Sequence, residues 1–124
     1  MMVLLNVSWA IVACVIARYL YKHPILRIHG RSMYPTYKDG DVVLGLRYNY
    51  KHCDIRQGSV VVVNSPNGVK AIKRATAFKY KEGIMYVWVE GDNPSESYDS
   101  RNYGWLTTKD IVAIDPKPRV KEKV

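Results

Sequence analysis

The fold of this chain is decided by residues 59–75, which read SVVVVNSPNGVKAIKRA. Four successive valines are followed by the turn residues Pro66-Asn67-Gly68 and then by a segment that mixes basic residues with alanine and isoleucine. β-Branched residues favour strands, and proline, asparagine and glycine favour the turns between them. The stretch therefore predicts two strands, Ser59–Asn64 and Lys70–Ala75, with a turn between them.

The same pattern extends outward on both sides. Short segments rich in valine and isoleucine, bounded by turn residues, predict further strands at Asp41–Leu46, Ile84–Glu90 and Ile111–Ile114. No long stretch after residue 22 has helical periodicity. We therefore expect a mainly β protein in which residues 22–124 form a compact antiparallel β domain.

The composition leaves room for one domain. The 124-residue chain is 48% hydrophobic, which suffices for a modest core. Its formal charge of +8 would suit nucleic acid or anionic lipid, but the basic residues are spread out and interspersed with 11 acidic ones. The only dense basic run, residues 117–123, is expected to be a solvated end. We therefore expect no nucleic-acid partner.

Residues 1–21 predict an anchor in a lipid membrane. Residues 3–17 are apolar apart from Asn6 and Ser8, and the first charge is Arg18. With its flanking residues the segment is just long enough to cross a bilayer, so we expect one transmembrane helix. Two alternatives are a helix buried in the core and a cleaved signal peptide. The absence of a basic residue before the apolar run argues against the second.

Residues 30–36, GRSMYPT, contain a candidate nucleophile. Ser32 lies between Gly30 and Pro35, shortly before a predicted strand. We expect the backbone geometry between this glycine and this proline to fix the position of the Ser32 side chain, unlike that of a residue on a flexible loop. The plain alternative is a serine that only serves a turn.

The strand Lys70–Ala75 contains a candidate base. Because side chains alternate along a strand, Lys73 shares a face with Ala71 and Ala75. An ammonium among small apolar neighbours is costly to desolvate, so the pKa of Lys73 should fall, and a neutral lysine can accept a proton from a serine hydroxyl. The alternative is a lysine on the solvent face of an edge strand.

Residues 91–104, GDNPSESYDSRNYG, form a polar segment that either closes a turn or braces a site. Asp99 and Arg101 within it can form a bidentate ion pair.

The cysteines and histidines do not predict a metal site. Cys14 lies in the apolar leader and is not expected to pair with Cys53, and His23, His29 and His52 are scattered. We expect no metal and no cofactor.

In chain order the motifs read Gly-x-Ser-Met-x-Pro-Thr, Gly-Asp-Val-Val, Ile-Lys-Arg and Gly-Asp-Asn-x-x-x-Ser-x-Asp-Ser-Arg-x-x-Gly. This order resembles the type I signal peptidase family, and it covers nearly the whole chain after the anchor. The resemblance implies a mainly antiparallel β fold in a minimal single-domain form. It also implies a serine/lysine dyad without a third catalytic acid.

Carried over residue by residue, the resemblance implies Ser32 as nucleophile and Lys73 as general base. Ser97 matches the hydroxyl that orients the lysine, and Asp99 and Arg101 match a bracing ion pair. The residues expected to contact substrate are Ile28, Met33, Ala71 and Ile72.

The implied activity is that of a membrane-bound serine endopeptidase that removes N-terminal signal peptides from translocated pre-proteins. It would cut after small residues of the Ala-x-Ala type through an acyl-enzyme, with the pre-protein paired to the edge of strand Lys70–Ala75. The Ser32 amide would stabilise the oxyanion. Gly30 stands where many relatives carry a serine that adds a second donor, so the origin of that donor is open.

Localisation follows from the resemblance more than from charge. Four basic residues close after the apolar run would favour a cytoplasmic domain, but long domains translocate despite such charges. We expect the catalytic domain on the extracytoplasmic face, or facing the intermembrane space from the mitochondrial inner membrane.

Three other functions fit parts of the pattern. A narrow-task peptidase of the same clan (pilin-type, conjugation-type or mitochondrial inner-membrane) would share the dyad but cut few substrates. A self-cleaving repressor-type protein also uses serine and lysine, but it carries a DNA-binding domain in place of an apolar leader. A non-catalytic basic β module would bind its partner in a salt-sensitive way that Ser32→Ala leaves unchanged.

Overall fold

The computed structural model describes residues 2–49 and 54–121, so that His52 and Cys53 lie outside the described residues. The chain begins with helix α1 (Met2–Lys22), and a one-turn helix α2 (Ser100–Tyr103) lies late in it. The strands are β1 (Ile25–Arg27), β2 (Val42–Leu44), β3 (Leu46–Arg47), β4 (Val60–Asn64), β5 (Lys70–Lys81), β6 (Ile84–Glu90), β7 (Leu106–Thr107) and β8 (Ile111–Asp115).

The strands form two antiparallel sheets, which confirms the predicted mainly β fold. The larger sheet has the order β3-β8-β4-β5-β6-β7, and β1 pairs with β2 in a small second sheet. The valine run of β4 is central because both of its neighbours, β5 and β8, cover its backbone groups. This position explains why the run is apolar throughout and does not alternate with polar residues.

Two apolar clusters pack against opposite faces of β4. Val61 and Val63 belong to a cluster with strands β5, β6 and β8, whereas Val60 packs with residues of the first motif. Successive strand residues point to opposite faces, so one valine run supplies both clusters. The second cluster consists of Ile28, Met33, Tyr37, Val43 and Val60.

Strand β5 is longer than predicted and is paired unevenly. It continues past Ala75 to Lys81, with a register shift between Ala75 and Ala77. Arg74 and the residues after it pair with β6, whereas residues 70–73 pair only with β4 among the described residues. The edge that the sequence analysis assigned to Lys70–Ala75 is therefore limited to residues 70–73.

The predicted strand Asp41–Leu46 is divided at Gly45. Its first part, β2, pairs with β1, and its second part, β3, pairs with β8 in the larger sheet. The Gly45 amide donates to the Pro24 carbonyl at 2.8 Å, and a Cβ at Gly45 would lie 2.8 Å from the Leu26 side chain. Glycine thus allows the chain to change sheets at a point of close backbone approach.

Helix α1 covers the predicted anchor segment and is tied to the domain at its end. The Arg47 side chain donates from Nε to the Tyr21 carbonyl at 2.9 Å and lies over the Tyr21 ring. Among the described residues, no helix has both the length and the apolar content that crossing a membrane requires.

The described part of the basic run, residues 117–121, is exposed, as expected of a solvated end. Arg119 also donates hydrogen bonds to Thr36, Tyr37 and Asp41 in the loop before β2, which the sequence did not predict.

Candidate active site

The candidate nucleophile lies in the loop between β1 and β2. Gly30 has a φ of +83°, in the left-handed region that favours glycine, and its amide donates to Asp39 Oδ1 at 2.8 Å. The Tyr34 amide donates to the Arg31 carbonyl at 3.1 Å, which closes a turn around Ser32. Ser32 is half-buried at the surface of this loop.

Two buried side chains fix the loop from below. Met33 and Tyr37 are 1% and 0% exposed, and the Tyr37 amide donates to the Met33 carbonyl at 2.9 Å. The Met33 sulfur accepts from the Asp92 amide at 3.4 Å. Met33 is therefore part of the core under Ser32 and does not line the groove described below, unlike its expected position.

The candidate base is buried on the sheet. In the register of β4 and β5, Lys73 lies opposite Val61 and so points to the same face as the first apolar cluster. Lys73 is only 3% exposed, and its Nζ donates to Ser97 Oγ at 3.2 Å. Burial lowers the pKa of Lys73 from its ordinary value of 10.5; the Asp99 charge opposes this shift and the Arg101 charge adds to it.

Asp99 is the centre of the polar network behind Lys73. Ser97 Oγ donates to Asp99 Oδ2 at 2.6 Å, and Arg101 donates to both carboxylate oxygens, at 3.0 and 2.6 Å. The Gly91 amide donates to the same carboxylate at 2.8 Å. Burial alone would raise the pKa of Asp99, but these donors hold it well below 3.8.

The local sequence explains how this network forms. Asp99 is the N-cap of α2: its side chain accepts from the Arg101 amide, and its own amide donates to Asn102 Oδ1 at 3.1 Å. Such a capping box satisfies amides at a helix start that would otherwise lack partners. The contacts of Asp99 with Ser97, Arg101 and Asn102 thus span only two or three residues of sequence, whereas its contact with Gly91 spans eight.

The last of the four motifs, residues 91–104, connects the loop of Ser32 to the strand of Lys73. The Asn93 amide donates to the Ser32 carbonyl at 2.8 Å, and Asn93 Nδ2 donates to the Arg31 carbonyl at 3.0 Å. In the same motif, Ser97 bonds to Lys73. Gly91 separates the two contacts, since a Cβ there would clash with Ser97 Oγ and lie 2.6 Å from the Ser32 carbonyl oxygen.

Ser32 and Lys73 line one open groove with a volume of about 510 Å³. One wall is formed by β1 and the loop after it, and the other by residues 69–73, including the free edge of β5. Of the residues expected to contact substrate, Ile28, Ala71 and Ile72 lie in this groove and Met33 does not. The remaining apolar lining is Ile25, Leu26, Val62 and Val69.

One buried ion pair near the site was not predicted. Arg74 donates from Nε and Nη2 to the two carboxylate oxygens of Asp92, at 3.0 and 2.9 Å, and Asp92 is 5% exposed. Little in the sequence indicated this pair, because Arg74 points away from Lys73 on the strand and residues 91–104 contain several acidic residues. The fold buries Asp92 beside Arg74 and so decides which acid pairs with it.

Comparison of the sequence with known protein families identifies the family of this chain. Residues 1–79 match the family described as signal peptidase, peptidase S26. The matched range includes both Ser32 and Lys73.

Individual relatives share only 29 to 31% of the aligned residues with this chain. The chain is 29% identical over 100 residues to mitochondrial inner membrane protease subunit 2 of Mus musculus, covering 64% of this chain and 57% of that protein. It is 29% identical over 102 residues to subunit 1 from the same organism, covering 68% and 61%. A third relative is the mitochondrial ATP-independent inner membrane protease subunit 1a of Arabidopsis thaliana, 31% identical over 98 residues, covering 62% and 58%. The chain thus spans less than two thirds of the length of these relatives.

Proposed function

Because the chain belongs to the signal peptidase family, peptidase S26, we propose that it is a serine endopeptidase that removes signal peptides from pre-proteins. Ser32 is the nucleophile and Lys73 the general base. The observation that carries this proposal is that both residues line one groove while the last motif, residues 91–104, bonds to each of them. Burial lowers the pKa of Lys73, which increases the fraction of neutral amine able to accept a proton.

In the proposed reaction, Lys73 Nζ takes the proton from Ser32 Oγ as this oxygen attacks the carbonyl carbon of the scissile bond. The protonated lysine then gives the proton to the leaving amine, which produces an acyl-enzyme. Lys73 then takes a proton from water, which attacks the ester carbonyl; the bond to Ser32 Oγ breaks, the acid product leaves, and Lys73 returns the proton to Ser32 Oγ. The bond from Lys73 to Ser97 holds the amine in place during both steps, and the Ser32 amide donates to the oxyanion.

We assign substrate binding to the groove beside residues 70–73. These residues have a free edge among the described residues, so an extended pre-protein segment can add to the sheet through main-chain hydrogen bonds. Ile28, Ala71 and Ile72 line the groove where side chains of the substrate would enter. Small side chains such as alanine before the cut are the preference that the resemblance of the sequence motifs implies.

We further propose that residues 1–21 attach the domain 22–124 to a membrane. Six large apolar side chains of α1 between residues 7 and 16 are exposed by 46–71%, so no part of the chain that the structure describes buries them. Exposed apolar surface on this scale marks contact with lipid or another protein. Vesicle flotation of the wild type and of an Ile11→Lys/Val15→Lys variant tests this assignment; equal flotation of the two, or none in the wild type, would contradict it.

The decisive experiment uses the purified chain in detergent with a pre-protein that has an Ala-x-Ala site. Wild type, Ser32→Ala and Lys73→Met are compared, and Lys81→Met serves as a matched control because Lys81 lies on the same strand, exposed and outside the groove. We expect cleavage after the final alanine by wild type and Lys81→Met only, mapped by mass spectrometry. Cleavage by either dyad variant would overturn the assignment of that residue.

A second candidate is a maturation peptidase with few substrates in the mitochondrial inner membrane. The names of the relatives, which are mitochondrial inner membrane protease subunits, favour it. In this case the groove and the dyad act as above, with the catalytic domain in the intermembrane space. A peptide library varied at the residues before the cut discriminates the two: a general signal peptidase accepts any small residue there, whereas a dedicated enzyme accepts few sequences.

A further inference from the structure

We propose that Arg119 is a positioning residue for Ser32. It lies in the segment Asp115–Arg119, which begins at the last residue of β8 and contacts residues 36–41 of the Ser32 loop, none of which line the groove. The inference rests on the proposed function, because it concerns the loop that carries the proposed nucleophile.

Arg119 makes four contacts with this loop. Its amide donates to the Tyr37 hydroxyl at 3.0 Å, and Nη1 donates to the Thr36 carbonyl at 3.3 Å and to Asp41 Oδ2 at 2.7 Å. Its guanidinium lies 4.9 Å from the centre of the Tyr37 ring. One residue therefore binds the loop at three points, all within nine residues after Ser32.

The segment is itself held at both ends. The Tyr37 hydroxyl donates to Asp115 Oδ2 at 2.7 Å, and Asp115 Oδ1 accepts from the Lys117 amide at 3.0 Å. The Arg119 carbonyl accepts from Arg74 Nη2 at 2.9 Å. Since Arg74 is the neighbour of Lys73, the segment bridges the loop of the nucleophile and the strand of the base.

The exposure of these groups argues for an effect on geometry more than on stability. The Arg119 side chain is 48% exposed, and ion pairs in such positions contribute little to the free energy of unfolding. Tyr37, in contrast, is fully buried, so its ring transmits the position of Arg119 to Met33 and to the turn around Ser32. Misplacement of a reacting group by about 1 Å can lower a rate by about 100-fold.

The test measures kcat and KM separately for Arg119→Ala and Arg119→Lys, in the cleavage assay above. Lys117→Ala is the matched control, because Lys117 lies in the same segment and its exposed side chain has no bond to the loop. We expect Arg119→Ala to lower kcat about tenfold or more, with KM within about twofold of wild type. Arg119→Lys keeps a charge for Asp41 but loses the planar fork, so it should recover part of kcat.

An unchanged kcat in folded Arg119→Ala would overturn the proposal, and so would a change confined to KM. If Arg119→Ala does not fold, Arg119→Lys decides, and a kcat equal to that of wild type counts against the proposal. Hydrogen exchange of the amides of residues 33–41 gives a readout that needs no substrate. Faster exchange in Arg119→Ala than in Lys117→Ala supports the positioning role even if the wild type cuts nothing, a result that would refute only the proposed function; equal exchange overturns the role.

Discussion

Replacement of Gly91 by alanine inserts one methyl group between the Ser32 carbonyl and Ser97, the residue that bonds to Lys73. The backbone of Gly91 lies against both the Ser32 carbonyl and the Ser97 side chain, and its φ is not in the left-handed region. Alanine can therefore adopt the same backbone conformation, and any effect of Gly91→Ala comes from the added Cβ alone.

The size of the effect follows from one distance. The Cβ would lie 2.6 Å from the Ser32 carbonyl oxygen, whereas ordinary contact begins at 3.4 Å, so the two must separate by about 0.8 Å. A displacement on this scale lowers kcat by roughly 10- to 100-fold, equivalent to about 1.4 to 2.7 kcal/mol in activation free energy. Overpacking should also lower the free energy of unfolding by about 1 to 3 kcal/mol.

The assay compares Gly91→Ala with Gly83→Ala, measured as cleaved pre-protein per folded molecule. Gly83 has a φ of +77° in the turn between β5 and β6, with open space around its Cβ position. Alanine at Gly83 is strained by about 1 kcal/mol and destabilises the fold without touching the groove. Thermal unfolding of both variants gives the folded fraction.

We expect Gly83→Ala to cut at the wild-type rate once the folded fraction is considered, and Gly91→Ala to cut at least tenfold more slowly. Equal rates for the two folded variants would refute the argument that Gly91 sets the spacing of Ser32 and Ser97.

Three further changes test the polar network. Ser97→Ala removes the hydroxyl that bonds to Lys73 and should lower kcat about tenfold in the cleavage assay, whereas Ser59→Ala, which loses a turn hydrogen bond outside the groove, should not. The pKa of Lys73 is lower in the folded protein than in the unfolded chain, so the unfolded chain binds more protons just below pH 10.5. The free energy of unfolding of the wild type should therefore rise with pH in that range. Denaturant titrations of Lys73→Met should lack this rise. The pKa of Asp99 is also lowered, so the stability it contributes is present above 3.8 and is lost as pH falls further; acid unfolding curves of Asp99→Asn should lack this loss, and identical curves would contradict the assignment.

Features that depend on neighbouring residues were predictable from sequence. The valine run of β4 and the turn after it have strong local preferences, and the alternation of side chains on β5 put Lys73 among Ala71 and Ala75. The ion pair of Asp99 and Arg101 forms across two residues at a helix start. In these cases the residues that determine the feature lie within a few positions of one another.

Features that depend on distant residues were not predictable. Arg119 and Asp41 are 78 positions apart, and nothing in a basic terminal run indicates which acid it will meet. Strands β1 and β7 have three and two residues, too few for periodicity, and they exist because β2 and β6 offer partners. Met33 was expected to contact substrate because the family resemblance implied it, but its side chain packs in the second apolar cluster, whose members are distant in sequence.

The half-paired state of β5 has a consequence for the behaviour of the protein in solution and at a membrane. Unpaired amides and carbonyls at residues 70–73 can template any extended chain, including a second copy of this one or a partly folded bystander. Lys70, exposed at the start of that edge, acts against stacking of like copies through charge repulsion. Concentrated, substrate-free protein should therefore be most prone to self-association at high salt, where that repulsion is screened.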